Sequence, residues 1–543
     1  MNFMFVLLTA LVISVSIIPV MIRFAPNLGM VDMPDPRKVH AIPIPRVGGI
    51  GIVVGSLVSV LLWVPLDNMM LAYLFGSLVL LVFGALDDSH ELGHYVKFIG
   101  QFVAAIAVVY WGDVWVSSMP FMDHPVSEFI GKPFTVIAIV GMVNAINHSD
   151  GLDGLAGGES LLSLACLAYL AYLAGGVAVV MVAAAVIGGV FGFLRFNTHP
   201  AKVFMGDSGS QFLGFSLGVL AVVLTQKVNT GLSMALPVLI LGLPIIDIIA
   251  VFAQRIYHGM NWFRATRNHI HHRLLDLGYD HYQAVVIIYA IHAFFVVSAL
   301  YLQYAFDWVV LSLYSGVCLA VFTVLVVAKN KGWKANKDGA ESRIARIMAE
   351  LKMNRIFSKW PLLFVKIAIP LYLLLGSLWV EHVSRDFGLA ATIIAALLLF
   401  GLVFHKMQSA VYLVRMAIFG TAAFLVYLIH QYTGATQILS NVMMAYFVVL
   451  AIAIAIAVRY APDLQFKTTP TDYLMVFMVI AASLFFQQSF YENDLGVVVV
   501  KVLIMFYGCE LIINRGSRLS NGLLDFSVMA SVGILGMKAL MSS

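Results

Sequence analysis

The chain has 543 residues, 61% of them hydrophobic and 11% charged, with a formal net charge of +4. Soluble domains average roughly 45–50% apolar and 25% charged residues, so this composition excludes a water-soluble globule, a disordered chain and a nucleic-acid-binding module. The solvent around most of the chain is lipid. Cys166, Cys318 and Cys509 sit in apolar runs, with neither metal spacing nor a disulfide framework.

The first twenty residues carry no basic start and no small-residue cleavage site before Arg23, which predicts a retained helix rather than a signal peptide. A bilayer core takes about 20 apolar residues per helix, and on that basis the sequence predicts about eighteen spans in an all-α, polytopic membrane protein. About eleven lie near residues 3–22, 48–65, 70–86, 98–116, 132–147, 159–174, 176–194, 209–226, 231–254, 282–303 and 307–328. A basic, polar segment from Lys329 to Lys359 interrupts them, and about seven further spans follow between Pro361 and Met541. The expected division is a catalytic domain over 1–328, a linker over 329–360 and a C-terminal membrane domain over 361–543. Within the linker, Glu341 to Lys352 has the pattern of a short interfacial helix.

Loop charges predict the orientation. Arg23, Arg37, Lys38, Arg46, Lys97, Arg195, Lys202, Arg255, Arg264, Arg267 and Arg273 fall on one side, with the linker, Arg459, Lys467, Arg515 and Arg518. Asp67, Asp113, Asp123, Glu128, Asp307, Glu381, Glu492 and Asp494 fall on the other, with few cations. The positive-inside rule makes the first side cytoplasmic.

Polar motifs of the first 330 residues all fall on that side. They are Asp87-Asp88, Asn144 to Gly158 with Asn147, Asp150 and Asp153, Asn197 to Ser210 with Phe204 and Asp207, and Phe263 to Arg273 with His269, His271 and His272. Carboxylates crowded at low-dielectric helix ends repel one another unless a cation is present, and all-oxygen donors favour magnesium, or manganese, over zinc. Glycines beside Asp150, Asp153 and Asp207 permit tight turns and close backbone approach to a phosphate-bearing ligand. Taken singly, each motif has a plainer reading: a solvated helix end, a turn, a surface histidine cluster, an Asx-turn. Their joint occurrence on one face is what points to a site. Asp247, deep in the ninth span, is expected to be paired or protonated.

Together these residues resemble the polyprenyl-phosphate N-acetylhexosamine-1-phosphate transferases, the membrane family that includes the bacterial WecA-type and MraY-type enzymes. The likeness covers residues 1 to about 328: Lys38-Val-His40 and Pro43 to Gly49 look like the family's first cytoplasmic loop, and the motifs above follow in the family's order. The resemblance implies transfer of a sugar 1-phosphate from a UDP-N-acetylhexosamine, UDP-GlcNAc first among them, to polyprenyl phosphate at the cytoplasmic face of the bacterial inner membrane. The products would be a polyprenyl diphosphate sugar for cell-envelope glycan synthesis and UMP. It implies magnesium on Asp207 and Asn147, Asp87 and Asp88 at the lipid phosphate, and Asp150, Asp153, Asn197 and Phe204 around the uridine. His269, His271, His272, Arg264 and Arg267 would meet the diphosphate or the sugar, with Lys38 and Lys97 as further substrate contacts. Two positions depart from the family pattern, Thr266 where an Asp is usual and His148 where an apolar residue is usual, and both touch the region expected to read the sugar. The likeness stops before residue 329 and leaves the oligomeric state open. Competing readings are a transporter or flippase, which predicts ionisable groups at mid-span and a repeat between the halves, and a silent scaffold that kept the fold.

Overall fold

The computed structural model describes residues 2–34, 42–122, 124–259 and 269–335. In the C-terminal part it describes 355–380, 383, 388, 391–396, 398–399, 408–433, 437–459, 495–515 and 518–541. Lys38, Arg264, Thr266, Arg267 and the expected interfacial helix of the linker lie outside the described residues.

The described residues are all-α apart from a two-residue antiparallel ladder, β1 (Val31–Asp32) on β2 (Ile44–Pro45), with Val31 opposite Pro45. Among the described residues, twelve helices are long and apolar enough to cross a membrane. In the first unit these are α1 (Asn2–Phe24), α3 (Asn68–His90), α4 (His94–Ile106), α5 (Glu128–Ser149), α6 (Leu155–Leu173), α7 (Val177–Asn197), α8 (Gly206–Val223), α12 (His281–Tyr301) and α13 (Asp307–Asn330). Both α4 and α8 are lengthened by a π-helical turn, Ala107–Trp111 and Leu224–Val228. The second expected span forms the shorter α2 (Gly48–Trp63).

The span expected over 231–254 is two helices, α9 (Leu236–Ile240) and α10 (Gly242–Tyr257). Pro244 is the cause: it has no N–H to give and is accommodated only in a first turn, so the helix restarts just before it. The carbonyl of Ile240, which Pro244 cannot serve, accepts from Ser163 Oγ at 2.7 Å, and that of Gly242 accepts from Tyr314 Oη of α13 at 2.9 Å.

At the centre of this unit stands α8, buried along its whole length, with α2, α3 and α5 against it. It is rich in glycine and serine, and the glycines are where neighbouring backbones approach. A Cβ on Gly214 would lie 2.6 Å from Met142 O, and one on Gly209 2.6 Å from the Cα of Gly49. Small residues at such crossings are the usual means of close helix packing without a hydrophobic drive. Its polar side chains are satisfied by neighbours, as where Tyr73 Oη and Ser216 Oγ meet at 2.8 Å. By contrast α13 carries its apolar groups outward, Leu319 being 70% exposed, as lipid contact requires.

The second unit is described through the helices Arg355–Trp379, Gln408–Thr433, Gln437–Arg459, Leu495–Arg515 and Arg518–Met541. Lys538 Nζ donates to the carbonyls of Ser377, Leu378 and Val380 at 3.1, 2.7 and 2.6 Å, closing the C-terminal end of the first of these helices. Glu510 pairs with Arg415 at 3.3 Å. The other spans expected after Pro361 fall largely on residues outside the description.

Candidate active site

Several motifs expected in loops are terminal helical turns. Asp87 and Asp88 lie in the last turn of α3, Asn147 and His148 in the last turn of α5, and Asp207 in the first turn of α8. Carboxylates are unfavourable at a helix C-terminus, where the dipole is negative, so Asp87 and Asp88 need partners from other helices. They have them. Asp88 faces the N-terminus of α8, its Oδ1 accepting from Asp207 N at 2.8 Å and its Oδ2 from Ser208 N and Ser208 Oγ at 3.1 and 3.0 Å. It caps α8 across the helix interface, using the orphan amides that every helix N-terminus presents.

Asp87 points to Lys97 instead. The Lys97 ammonium, on α4, donates to Asp87 Oδ2 at 2.6 Å and to Asp207 Oδ2 at 2.8 Å, so two carboxylates share one cation. Asp207 also accepts from Asn147 Nδ2 at 3.1 Å and from Gln211 Nε2 at 3.2 Å, and Asn147 donates to Ser210 Oγ at 2.8 Å. A chain of amides backs this set: Asn144 donates to Gln101 at 2.7 Å and Gln101 to Gln211 at 3.4 Å. Asp87 Oδ1 is buried and has no hydrogen-bond partner among the described residues. An orphaned carboxylate oxygen beside a second carboxylate, with the Asn147 amide adjacent, fits a hard divalent cation held by Asp87, Asp207 and Asn147.

Glycine makes this geometry attainable. Gly206 takes φ +71°, and a Cβ there would lie 2.5 Å from Asp88 Oδ2; a Cβ on Gly84 would lie 2.4 Å from Ser208 Cα. The β2 strand joins in, since Phe204 N donates to Pro45 O at 2.8 Å and Gly48 and Gly49 donate to Phe204 O and Met205 O at 2.9 and 2.8 Å. The first expected loop is thus tied by backbone to the segment leading into Asp207, with the half-buried Phe204 between them.

The histidine motif opens α11 (Ile270–Asp276). Asp247 of α10, expected to be paired, holds His269 Nδ1 at 2.8 Å and Ile270 N at 2.9 Å. The rings of His148 and His269 stack at 5.2 Å, His269 and His271 at 5.8 Å, and His271 meets His272 at 4.2 Å. Burial, with the neighbouring His272, pushes the His271 imidazole down to about 3, so it is neutral. Its ring fills the space over Gly151, where a Cβ would lie 2.3 Å from His271 Nε2. That contact joins the histidine motif to the Asp150 loop.

Asp150 is half-buried, and enclosure followed by the charges of Asp207, Asp88 and Asp153 pushes its carboxyl up to about 7. Two residues expected around the uridine are otherwise engaged. Asn197 is 3% exposed, accepting from Gly154 N at 2.7 Å and donating to Val203 O at 2.9 Å, which makes it a tie between loops. Asp153 Oδ2 accepts from His199 Nδ1 at 2.6 Å and from Ala201 N at 3.1 Å. Sequence reasoning missed the supporting groups Gln101, Gln211 and Glu159, the last accepting from Ser149 Oγ at 2.5 Å. Their signal was available, since each is a polar residue within one of the expected spans. At the other end of the helices, Asp113, Glu128, Lys132 and Lys227 form an unrelated ion cluster, with Lys132 at 2.5 Å from Glu128.

Fold and site together define a multi-pass membrane protein with a carboxylate-lined, lysine-bridged centre at one end of its helices. The model of glycosyl transferase family 4 matches residues 70–225. The chain is 38% identical over 323 residues to the probable undecaprenyl-phosphate N-acetylglucosaminyl 1-phosphate transferase of Bacillus subtilis (strain 168), which covers 59% of this chain and 88% of that protein. It is 28% identical over 347 residues to the undecaprenyl-phosphate alpha-N-acetylglucosaminyl 1-phosphate transferase of Escherichia coli (strain K12), 61% of this chain and 91% of that one. With the decaprenyl-phosphate N-acetylglucosaminephosphotransferase of Mycobacterium tuberculosis (strain ATCC 25618 / H37Rv) it shares 31% identity over 297 residues, 49% of this chain and 74% of that one. The chain belongs to glycosyl transferase family 4, the family its motifs resemble.

Proposed function

We propose that this chain transfers N-acetylhexosamine 1-phosphate, from UDP-GlcNAc as the first candidate donor, to undecaprenyl phosphate at the cytoplasmic face of the bacterial inner membrane. The observation that carries the reading is the convergence of Asp87 and Asp207 on one cation position at a helix end, where a lipid headgroup and a soluble nucleotide can both arrive. The names of the relatives support the same chemistry, and the transporter and scaffold readings find no support.

In the reaction an oxygen of the acceptor phosphate attacks the β-phosphorus of the nucleotide sugar. The bond from that phosphorus to the bridging oxygen breaks, and UMP leaves with the electron pair. Both reactants are anionic, so the centre must lower their repulsion. Asp207 and Asp87, with the Asn147 amide beside them, would hold a magnesium ion, which would supply charge neutralisation on the diphosphate and the leaving group. Asp87, with one oxygen unpaired, would meet the acceptor phosphate only through the cation it would hold, while Asp88 keeps the first turn of α8 in register and thereby aims Asp207. Lys97 bridges the two carboxylates, and once a metal ion took over their charge its ammonium would be free to meet a phosphate. His269, fixed by Asp247, and neutral His271 offer ring N–H groups on the diphosphate and sugar side. Phe204 offers a face for the uracil, and Asp150 lies on the nucleotide side of the same loops.

The test is purified protein with a panel of UDP-sugars, polyprenyl phosphate and magnesium, read as UMP and glycolipid formed. Asp207→Asn should lower turnover by roughly a hundredfold or more at unchanged folding. Chelation should stop the wild type, and manganese should restore part of the rate. Near-normal turnover by the variant, or no glycolipid from any donor, would overturn the reading.

A further inference from the structure

We propose that Asp153, His199 and His281 form a second metal site, built from residues apart from the Asp87–Asp207 centre, that takes a borderline divalent transition ion such as zinc. Three separate segments supply the ligands: Asp153 the α5–α6 loop, His199 the α7–α8 loop, and His281 the first position of α12. One carboxylate oxygen and one ring nitrogen from each imidazole lie within 4.8 Å of one another, and all three residues are half-buried.

The surrounding contacts hold the ligands in place. Asp153 Oδ2 is oriented by Ala201 N at 3.1 Å as well as by His199 Nδ1 at 2.6 Å. The His199 and His281 rings stack with centroids 4.2 Å apart, and Tyr282 packs its edge on His199 at 5.1 Å while its hydroxyl donates to the His199 carbonyl at 3.3 Å. His281 Nδ1 is buried without a hydrogen-bond partner among the described residues, and its Nε2 reaches no closer than 3.5 Å to the Asp153 carbonyl. A buried imidazole nitrogen without a hydrogen-bond partner is unfavourable, and an ion held by these side chains gives the His281 ring a partner. Two imidazoles and a carboxylate are a poor set for magnesium and a good one for zinc, with a coordination position left for water.

An ion here staples the Asp150–Gly154 turn to the Asn197–Ala201 loop and to α12. The Gly154 N to Asn197 bond at 2.7 Å and the Tyr289 Oη to Gly154 O bond at 2.6 Å already join the same three segments. The ion therefore fixes the loops that carry Asp150 and precede Phe204, and its role is bracing.

The experiment uses the full-length protein in detergent, stripped with a chelator and then given zinc or cobalt(II) alone. One equivalent of zinc should be retained through gel filtration and should raise the apparent Tm by several degrees. His199→Gln and His281→Gln should each weaken zinc binding by roughly a hundredfold. His272→Gln, in the neighbouring imidazole group, should leave zinc binding intact. His281→Cys, loaded with cobalt, should show a thiolate-to-cobalt charge-transfer band that the wild type lacks, a readout independent of activity and of Tm. No zinc uptake by the wild type, unchanged uptake by the His199 and His281 variants, loss of uptake in His272→Gln, or no charge-transfer band in His281→Cys would each overturn the proposal.

Discussion

Asp87 and Asp88 are adjacent in sequence and opposite in task. Successive residues on an α-helix point about 100° apart, so only one of a tandem pair can face the N-terminus of α8. Asp88 does so and is enclosed by three donors, whereas Asp87 keeps a bare oxygen beside Lys97. Removing a buried acceptor from its donors costs about 1–3 kcal/mol, so Asp88→Ala should lower the apparent Tm by several degrees and lose activity through displacement of Asp207. Asp87→Asn removes a repulsion with Asp207 along with the Lys97 pair, so its Tm should stay near that of the wild type while turnover collapses. Thermal unfolding in detergent beside turnover separates the two, and equal loss of Tm in both would refute the division. Asp150 gives a pH test. Its carboxyl is near 7 in the folded protein against an ordinary 3.8, so between those values the folded state holds a proton that the unfolded state has released. Stability from this group falls as pH rises through that window and is level above it. His271, pushed down to about 3, slopes the other way below its ordinary 6.5. The comparison of Asp150→Asn with the wild type isolates Asp150: in chelator, the variant's Tm advantage should grow from pH 5 to 7 and stay constant above 8. A constant difference over the whole range would contradict the raised value. The residue types of this centre were legible in the sequence as a cluster on one face. Their division was not, because helix phase and cross-helix capping depend on which helices meet.

At the scale of elements, the position of α8 decides the site. The sequence marks it as a span interrupted by Gly, Ser and Gln, which reads as a weak membrane helix until its neighbours are known; enclosed by protein, it has no lipid to satisfy. The same reasoning explains why Asp207, expected just ahead of a span beginning at 209, lies in a helical turn: a helix end whose amides are capped by Asp88 starts at Gly206 instead of fraying beyond Asp207. The break between α9 and α10 was legible in Pro244, but the apolar run on both sides hid it. Gly84 supplies the element-level test. Its added methyl would meet Ser208 Cα and N at 2.4 and 2.5 Å, backbone atoms that cannot rotate away, so Gly84→Ala must push α3 from α8. Overpacking of this kind costs about 1–3 kcal/mol, and here it also separates Asp87 and Asp88 from Asp207. Activity should therefore fall at least tenfold, with a lower Tm. Gly141 on α5 has nothing within 4 Å of its Cβ position, and Gly141→Ala should leave activity unchanged and gain up to about 1 kcal/mol of helix propensity. Equal behaviour of the two variants would mean that the α3–α8 contact does not control the site.

For the whole molecule, the contacts within the chain fall into two compact units, the first holding the described residues up to 335 and every motif residue that the structure describes. The sequence alone predicts a linker over 329–360, because charge rises there and apolar runs stop. Composition does not make the task of the second unit legible; its described polar groups, such as Arg415 with Glu510 and Lys538 on its three carbonyls, pair internally. The Bacillus subtilis relative is spanned over 88% of its length by 59% of this chain, so a large part of the chain has no counterpart in that alignment. If the chemistry needs only what the relatives share, a chain ending at Lys337 should insert, remain monodisperse in detergent and form glycolipid from UDP-sugar and polyprenyl phosphate. Its kcat should lie within about threefold of the full-length value, since no described site residue is removed and uniform positioning preserves transition-state binding. Low yield alone would not decide the matter, because helix faces covered by small residues lose their partners when spans are removed. The deciding measurement is made on the monodisperse fraction. UDP-sugar binding with the full-length Kd but no turnover would show that the second unit takes part in catalysis or in delivery of the lipid, and would end the reading of the first unit as self-sufficient.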